Sequence, residues 1–180
     1  MRRCLGILAA LLPALAAAAP PEAVAPAGPT DEAALVQRHL GLFVTTPDRR
    51  EASERVVVKP GRLELWFLRA VPADQREVAV CDGARWLLTG RLAGSTGAPA
   101  LFASLPDVQD VTLVFYRLET RVQPDAEGRY AQSRSPIPEA RFKVTRQKAT
   151  QLDAAALRQT LTGARCASVA ASVLDEVWTP

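Results

Sequence analysis

Three cysteines occur in this 180-residue chain, and two of them, Cys81 and Cys166, lie beyond an apolar leader that contains the third, Cys4. Whether that pair is bridged limits every fold the chain can adopt. A bridge would close a loop of about 85 residues and draw the middle of the chain against its C-terminal part, worth roughly 4 kcal/mol in the chain-entropy account. Two lone cysteines pair where the compartment is oxidising. The leader points to such a compartment. Met1-Arg2-Arg3 is a positive start, Cys4–Leu12 an apolar run, Pro13 a helix break, and Ala14–Ala19 a tract of small residues for a peptidase. A membrane-spanning helix needs about 20 apolar residues, and the run ending at Ala19 is shorter and holds Pro13. Residues 1–18 therefore read as a cleaved signal peptide. The expected location is periplasmic or secreted, with no stable membrane span after cleavage. Two free thiols or a metal pair are the rivals to the bridge; with His39 the only histidine, a metal site lacks ligands.

Cleavage changes the charge argument. The whole chain carries 22 basic and 19 acidic side chains. Loss of Arg2 and Arg3 leaves 20 against 19, so the mature protein is near neutral and has no overall field for nucleic acid. Residues 19–30 hold four of the prolines and almost no charge, which predicts an extended linker. The stretch 31–180 contains no second gap of that kind and is long enough for one domain with a core.

Periodicity gives the elements. Ala33, Val36, Leu40 and Phe43 form a helical stripe after the acidic start Asp31-Glu32, with His39 beside it as a surface or packed residue. Val56–Val58 and Leu63–Leu68 flank Lys59-Pro60-Gly61 and predict a hairpin. Residues 74–89 carry two conflicting signals: Val78, Cys81, Ala84 and Leu88 recur at helical spacing, whereas Asp82-Gly83 is a hairpin turn signal. A glycine inside a helix costs about 1 kcal/mol, which a long stripe can offset, so the helix is preferred. Asp110–Gln123 predicts a long strand that turns at Pro124–Gly128 and returns from Arg129, with Pro136 and Pro138 marking an edge or a bulge. Thr150-x-x-Asp153 reads as a capping box for a helix through Leu157 and Leu161, and Cys166, Ala170, Val173 and Val177 as a second helix, ending at Trp178. The expected fold class is α+β: an antiparallel sheet of two hairpins, helices packed on one face, a single disulfide-stapled domain.

The chemistry is mostly defined by what is missing. The sequence has no phosphate-binding G-x-x-x-x-G-K-[ST], no dinucleotide G-x-G-x-x-G, no H-E-x-x-H and no G-x-S-x-G elbow. No cofactor, metal site or catalytic set is expected. Asp107 and Asp110, and Asp125 and Glu127, read as turn residues, and Asp175-Glu176 as the wet face of the last helix. One concentration of charge stands out. Residues 117–148 hold eight basic side chains against four acidic ones. If Gln123 pairs with Arg129, then Arg117, Arg121 and Arg129 share one face of the long hairpin, and Tyr116, Leu118 and Val122 form a core stripe opposite. Such guanidiniums are candidate contacts for an anionic envelope component or an envelope protein. The sequence-level expectation is an exported, non-enzymatic protein of a bacterial envelope that acts by binding or assembly. The alternative is an exported hydrolase whose pocket the sequence does not reveal.

Overall fold

In a computed structural model, residues 30–43, 54–124 and 127–180 are described. The expected signal peptide and, apart from Thr30, the expected linker lie outside them, as does Asp125. The chain runs α1 (Thr30–Leu40), β1 (Arg55–Lys59), β2 (Arg62–Leu68), α2 (Arg76–Thr89), α3 (Ala98–Ser104), β3 (Asp110–Pro124), β4 (Tyr130–Thr145), α4 (Arg146–Ala149), α5 (Ala154–Thr160), α6 (Cys166–Val173) and β5 (Glu176–Trp178). The strands form one sheet in the order β1-β2-β3-β4-β5. The class is α+β, and the sheet is mostly antiparallel.

The sequence pattern led us to expect a wholly antiparallel sheet, and the sheet departs from that at one pairing. β2 and β3 pair in parallel, from Arg62 opposite Asp110 to Leu68 opposite Tyr116. The cause is the connection: two helices, α2 and α3, separate these strands, and a crossover of that length returns the chain in the same direction. A fifth strand is also present. Glu176–Trp178 pairs antiparallel with Arg141–Lys143, where the spacing had predicted a helix end. Leu174 leaves the helix with an extended backbone, and the Asp175 amide donates to the Lys143 carbonyl at 2.9 Å. The preceding helical cap is Asp153 itself, whose carboxylate accepts from the amides of Ala155 and Ala156; Thr150 does not cap α5.

The core lies between the sheet and α2. Val56, Leu63, Leu65, Phe67, Val111, Leu113, Phe115, Phe142 and Val144 point into it, alternating along their strands with residues of the other face. Residues 76–89 are helical, which settles the competing signals. Gly83 makes no turn. It faces Phe142, and a Cβ built on it would fall 2.2 Å from that ring. The helix thus lies closer to the sheet than any side chain would allow. Phe67, Trp86, Phe115 and Phe142 follow in edge-to-face steps with centroids 5.2–5.6 Å apart, a geometry that adds about 0.5–1.5 kcal/mol per pair beyond buried area. Cys81 and Cys166 are disulfide-bonded, with Cα atoms 5.5 Å apart, and tie α2 to α6.

Two outcomes are expected. Gly83→Ala gains about 1 kcal/mol of helix propensity but overpacks the Phe142 contact at a cost of about 1–3 kcal/mol. Urea unfolding should therefore show a net loss, and the same substitution in a Phe142→Leu background should be neutral or stabilising. Cys81→Ser and Cys166→Ser should each lower stability by about 2–4 kcal/mol and by similar amounts, because each opens the same loop.

Candidate functional site

Three regions outside the core carry polar chemistry. The first is the long hairpin. Beyond Tyr116, β3 is bonded to β4 alone, because β2 stops at Leu68 and β5 reaches no further than Arg141. The ladder continues from Arg117 opposite Ile137 to Pro124 opposite Tyr130, a two-stranded ribbon roughly 25 Å long at the usual strand rise. Its register differs from the expected one: Gln123 pairs with Ala131, so Arg129 lies beyond the last pair. The candidate contacts each have a carboxylate beside them. Arg117 binds Glu139 at 2.6 Å, Arg121 binds Glu119 at 2.9 Å, and Arg129 binds Glu127 at 3.0 Å. Glu139 occupies the bulge where the register shifts between Phe115 and Tyr116, next to Pro138. The opposite stripe is also not what was expected. Tyr116 is buried, but Leu118 is 41% and Val122 53% exposed, and Tyr130, on the same side, is 79% exposed. Phe115 is the last core residue of β3; Tyr116 is covered by Trp66 on the sheet face away from the core, and the ribbon beyond it has water on both faces.

The second region is the sheet face turned away from the core. Arg62, Glu64, Trp66, Thr112, Val114, Arg141, Lys143 and Glu176 line a shallow depression there. Charges of opposite sign alternate across it. Asp110 accepts from Arg62 at 2.9 Å and lies 3.7 Å from Lys143, so it joins three strands rather than serving a turn. Lys59 binds Glu64 at 2.8 Å and Arg141 lies 3.6 Å from Glu176. Burial alone would raise the Glu64 pKa, but the hydrogen bond and charge of Lys59 outweigh it and hold the carboxyl below its ordinary value. Trp66 stacks edge-on against Tyr116 with Arg55 over its ring. Burial pushes the Tyr116 phenol up.

The third region is where α1, α3 and the 90–97 segment meet. The carbonyl oxygen of His39, in the last turn of α1, accepts from the amides of Thr96 and Gly97, and that of Leu40 accepts from Arg91. Gly97 has φ +79°, and a Cβ there would strike the Leu88 carbonyl, so only glycine permits this approach. The imidazole is held on both sides: Nδ1 lies 2.8 Å from Thr96 Oγ1 and Nε2 lies 3.0 Å from Ser104 Oγ. Burial, then the charge of Arg38, lowers the His39 pKa and favours the neutral ring. Ser104 also reaches the Ala100 carbonyl at 3.1 Å, as a serine at a helix end commonly does. Ser104 also lines an open groove of about 720 Å³ with Val58, Pro60, Leu105, Pro106 and Val108, at which Lys59 and Asp107 add charge. Glu32 lies in the same groove, with one carboxylate oxygen buried and unbonded among the described residues.

From the sequence His39 was expected to be a surface or packed residue, with no partner assignable. Thr96 and Ser104 are 57 and 65 residues away from it, and no local pattern links them. The segment that carries Ser104 is fixed by Arg146, whose guanidinium donates to the carbonyl oxygens of Phe102, Leu105, Pro106 and Val108 at distances between 2.5 and 3.1 Å. Among the described residues no group of three or more His, Cys, Asp or Glu could hold a metal, and no helix is long and apolar enough to cross a membrane. No family model matches the chain, and no curated protein or solved structure matches it.

A histidine whose folded pKa is depressed binds fewer protons folded than unfolded. Its contribution to stability is complete above its unfolded value, about 6.5, and is lost as pH falls through the folded one. The native protein should therefore lose urea resistance between pH 7.5 and pH 5.5, and His39→Gln should flatten that part of the profile.

Proposed function

We propose that this chain is an exported envelope protein that acts by binding another protein, and that the β3–β4 ribbon is its contact element. The observation that carries the reading is the exposed stripe of Leu118, Val122 and Tyr130 on an element that no other part of the described chain covers. Isolated two-stranded ribbons are marginal in water, and large apolar side chains grouped on one side of a projection point to a buried state elsewhere. The Cys81–Cys166 disulfide supports an oxidising compartment.

The partner is a different protein with an apolar cleft. The ribbon projects as two strands alone, a shape that enters a cleft and so buries more than its three exposed apolar side chains, whereas two copies laid stripe to stripe would bury little else. Edge pairing is disfavoured, since Pro136 and Pro138 in β4 have no amide to donate. An anionic component is a weaker fit, because Arg117, Arg121 and Arg129 already have carboxylates beside them.

A photo-crosslinking residue at Val122 should give one discrete adduct in envelope extract, and the same residue at exposed Val78 or Leu92 should give none. The purified partner should bind with little salt dependence. Val122→Asp with Tyr130→Asp should weaken it at least tenfold and leave the urea midpoint unchanged. Unchanged affinity of that double variant, or an adduct formed only with a second copy of the chain, would overturn the proposal.

A further inference from the structure

We propose that Ser104 is an activated nucleophile, with His39 as its general base and Thr96 as a positioning residue, and that it accepts acyl groups from esters whose apolar part lies in the groove of Val58, Pro60, Leu105, Pro106 and Val108. Three independent elements converge to make the arrangement. The end of α1 supplies the imidazole, the end of α3 the hydroxyl, and the 90–97 segment the group that fixes the ring. A nucleophile within hydrogen-bond reach of a base that a third group orients is the geometry of covalent catalysis. Ser104 also lines the groove, whose apolar walls are Val58, Pro60, Leu105, Pro106 and Val108.

The step balances on these residues and water. The Ser104 hydroxyl turns its one proton from the Ala100 carbonyl to His39 Nε2, and Oγ attacks the ester carbonyl carbon as that proton passes to the ring. Collapse of the tetrahedral intermediate breaks the bond to the alkoxy oxygen, which takes that proton and leaves as the alcohol. Water then attacks the acyl-serine with His39 as base again, releasing the carboxylic acid and restoring Ser104. Thr96 can hold the Nδ1–H tautomer that leaves Nε2 free to accept. It brings no negative charge, and misorienting a triad histidine costs on the order of 10⁴ in kcat. Turnover should therefore be slow, and a covalent adduct is the proper readout.

The charged groups around the pair come from several elements: α1 brings Arg38 and Glu32, the 90–97 segment Arg91, and α3 none, while Lys59 and Asp107 line the groove with Ser104 and the Arg146 guanidinium binds the carbonyls of Phe102 and Leu105 on either side of it. Arg158 of α5 donates to the carbonyls of Thr89 and Ser95.

The test uses the mature, oxidised protein and an alkyl fluorophosphonate. The expected result is a single adduct on the Ser104 peptide, absent in Ser104→Ala. Labelling should rise with pH through a midpoint below the ordinary histidine value of about 6.5. His39→Gln should slow it at least about 100-fold. Thr96→Val should slow it less, and Thr96→Ser should restore it. Ser133 and Ser135 on the exposed ribbon are internal references. Labelling of Ser104 no faster than theirs, or absent, overturns the proposal. Should His39→Gln fail to fold, the pH profile of the native protein decides, and a flat profile from pH 5 to pH 8 is equally fatal.

Discussion

The rest of the molecule depends on how closely α2 approaches the sheet. At Gly83 the helix backbone meets the Phe142 ring with no side chain between them. That distance sets the depth at which Trp86 enters the aromatic run between Phe67 and Phe115. It also brings Cys81 to Cys166, so the bridge records the same packing from the C-terminal side. The guanidiniums of Arg69 and Arg91 lie over the Trp86 ring and cover the rim of this layer by cation–π contact. The parallel pairing of β2 and β3 follows from the same approach, because α2 belongs to the crossover that carries the chain back across the sheet.

Irregular segments around that core are held by guanidiniums that cap backbone carbonyls. Arg146 takes four in the 102–108 segment, and Arg158 takes those of Thr89 and Ser95. Hydrogen bonds from charged donors are worth about 1.5–3 kcal/mol each where partly buried, enough to hold a segment without regular structure. Both clamps converge on the region of Ser104 and Thr96. The hydroxyls around His39 are placed by rigid supports, as a precise site requires.

The sequence made the hairpins, the α2 helix and the cysteine pair legible for physical reasons. Alternation in Leu63–Phe67 reports burial on one side, and a lone pair of cysteines leaves one partner each. Gly83 was ambiguous because composition records a missing side chain without saying whether a turn or a neighbour requires it. The end of the chain misled because Val173 and Val177 satisfy a helical stripe, yet Val177 takes part in a strand whose pairing is settled 35 residues earlier, at Phe142 in β4. The ribbon stripe misled for a related reason. Leu118 and Val122 continue the parity of Tyr116, but parity cannot say where the sheet loses its cover. The grouping of His39, Thr96 and Ser104 was beyond reach, since the three meet only through tertiary structure.

The distribution of partners separates the surfaces that are chemically satisfied from those that are not. On the open sheet face Asp110, Glu64 and Glu176 each have a cation beside them, and the arginines expected to be a cationic patch have carboxylates at 2.6–3.0 Å. Exposed pairs of this kind contribute about 0–1 kcal/mol to stability and leave little field to attract a ligand. Two features are not accounted for in that way. The ribbon holds apolar side chains in water, which folding of the domain does not require, because the core along β3 closes at Phe115. The imidazole between two hydroxyls is satisfied as a structural contact, yet burial and Arg38 keep it in the form that accepts a proton, beside a groove open to solvent. The two features arise from different elements, so either can be removed by mutation while the other stays in place.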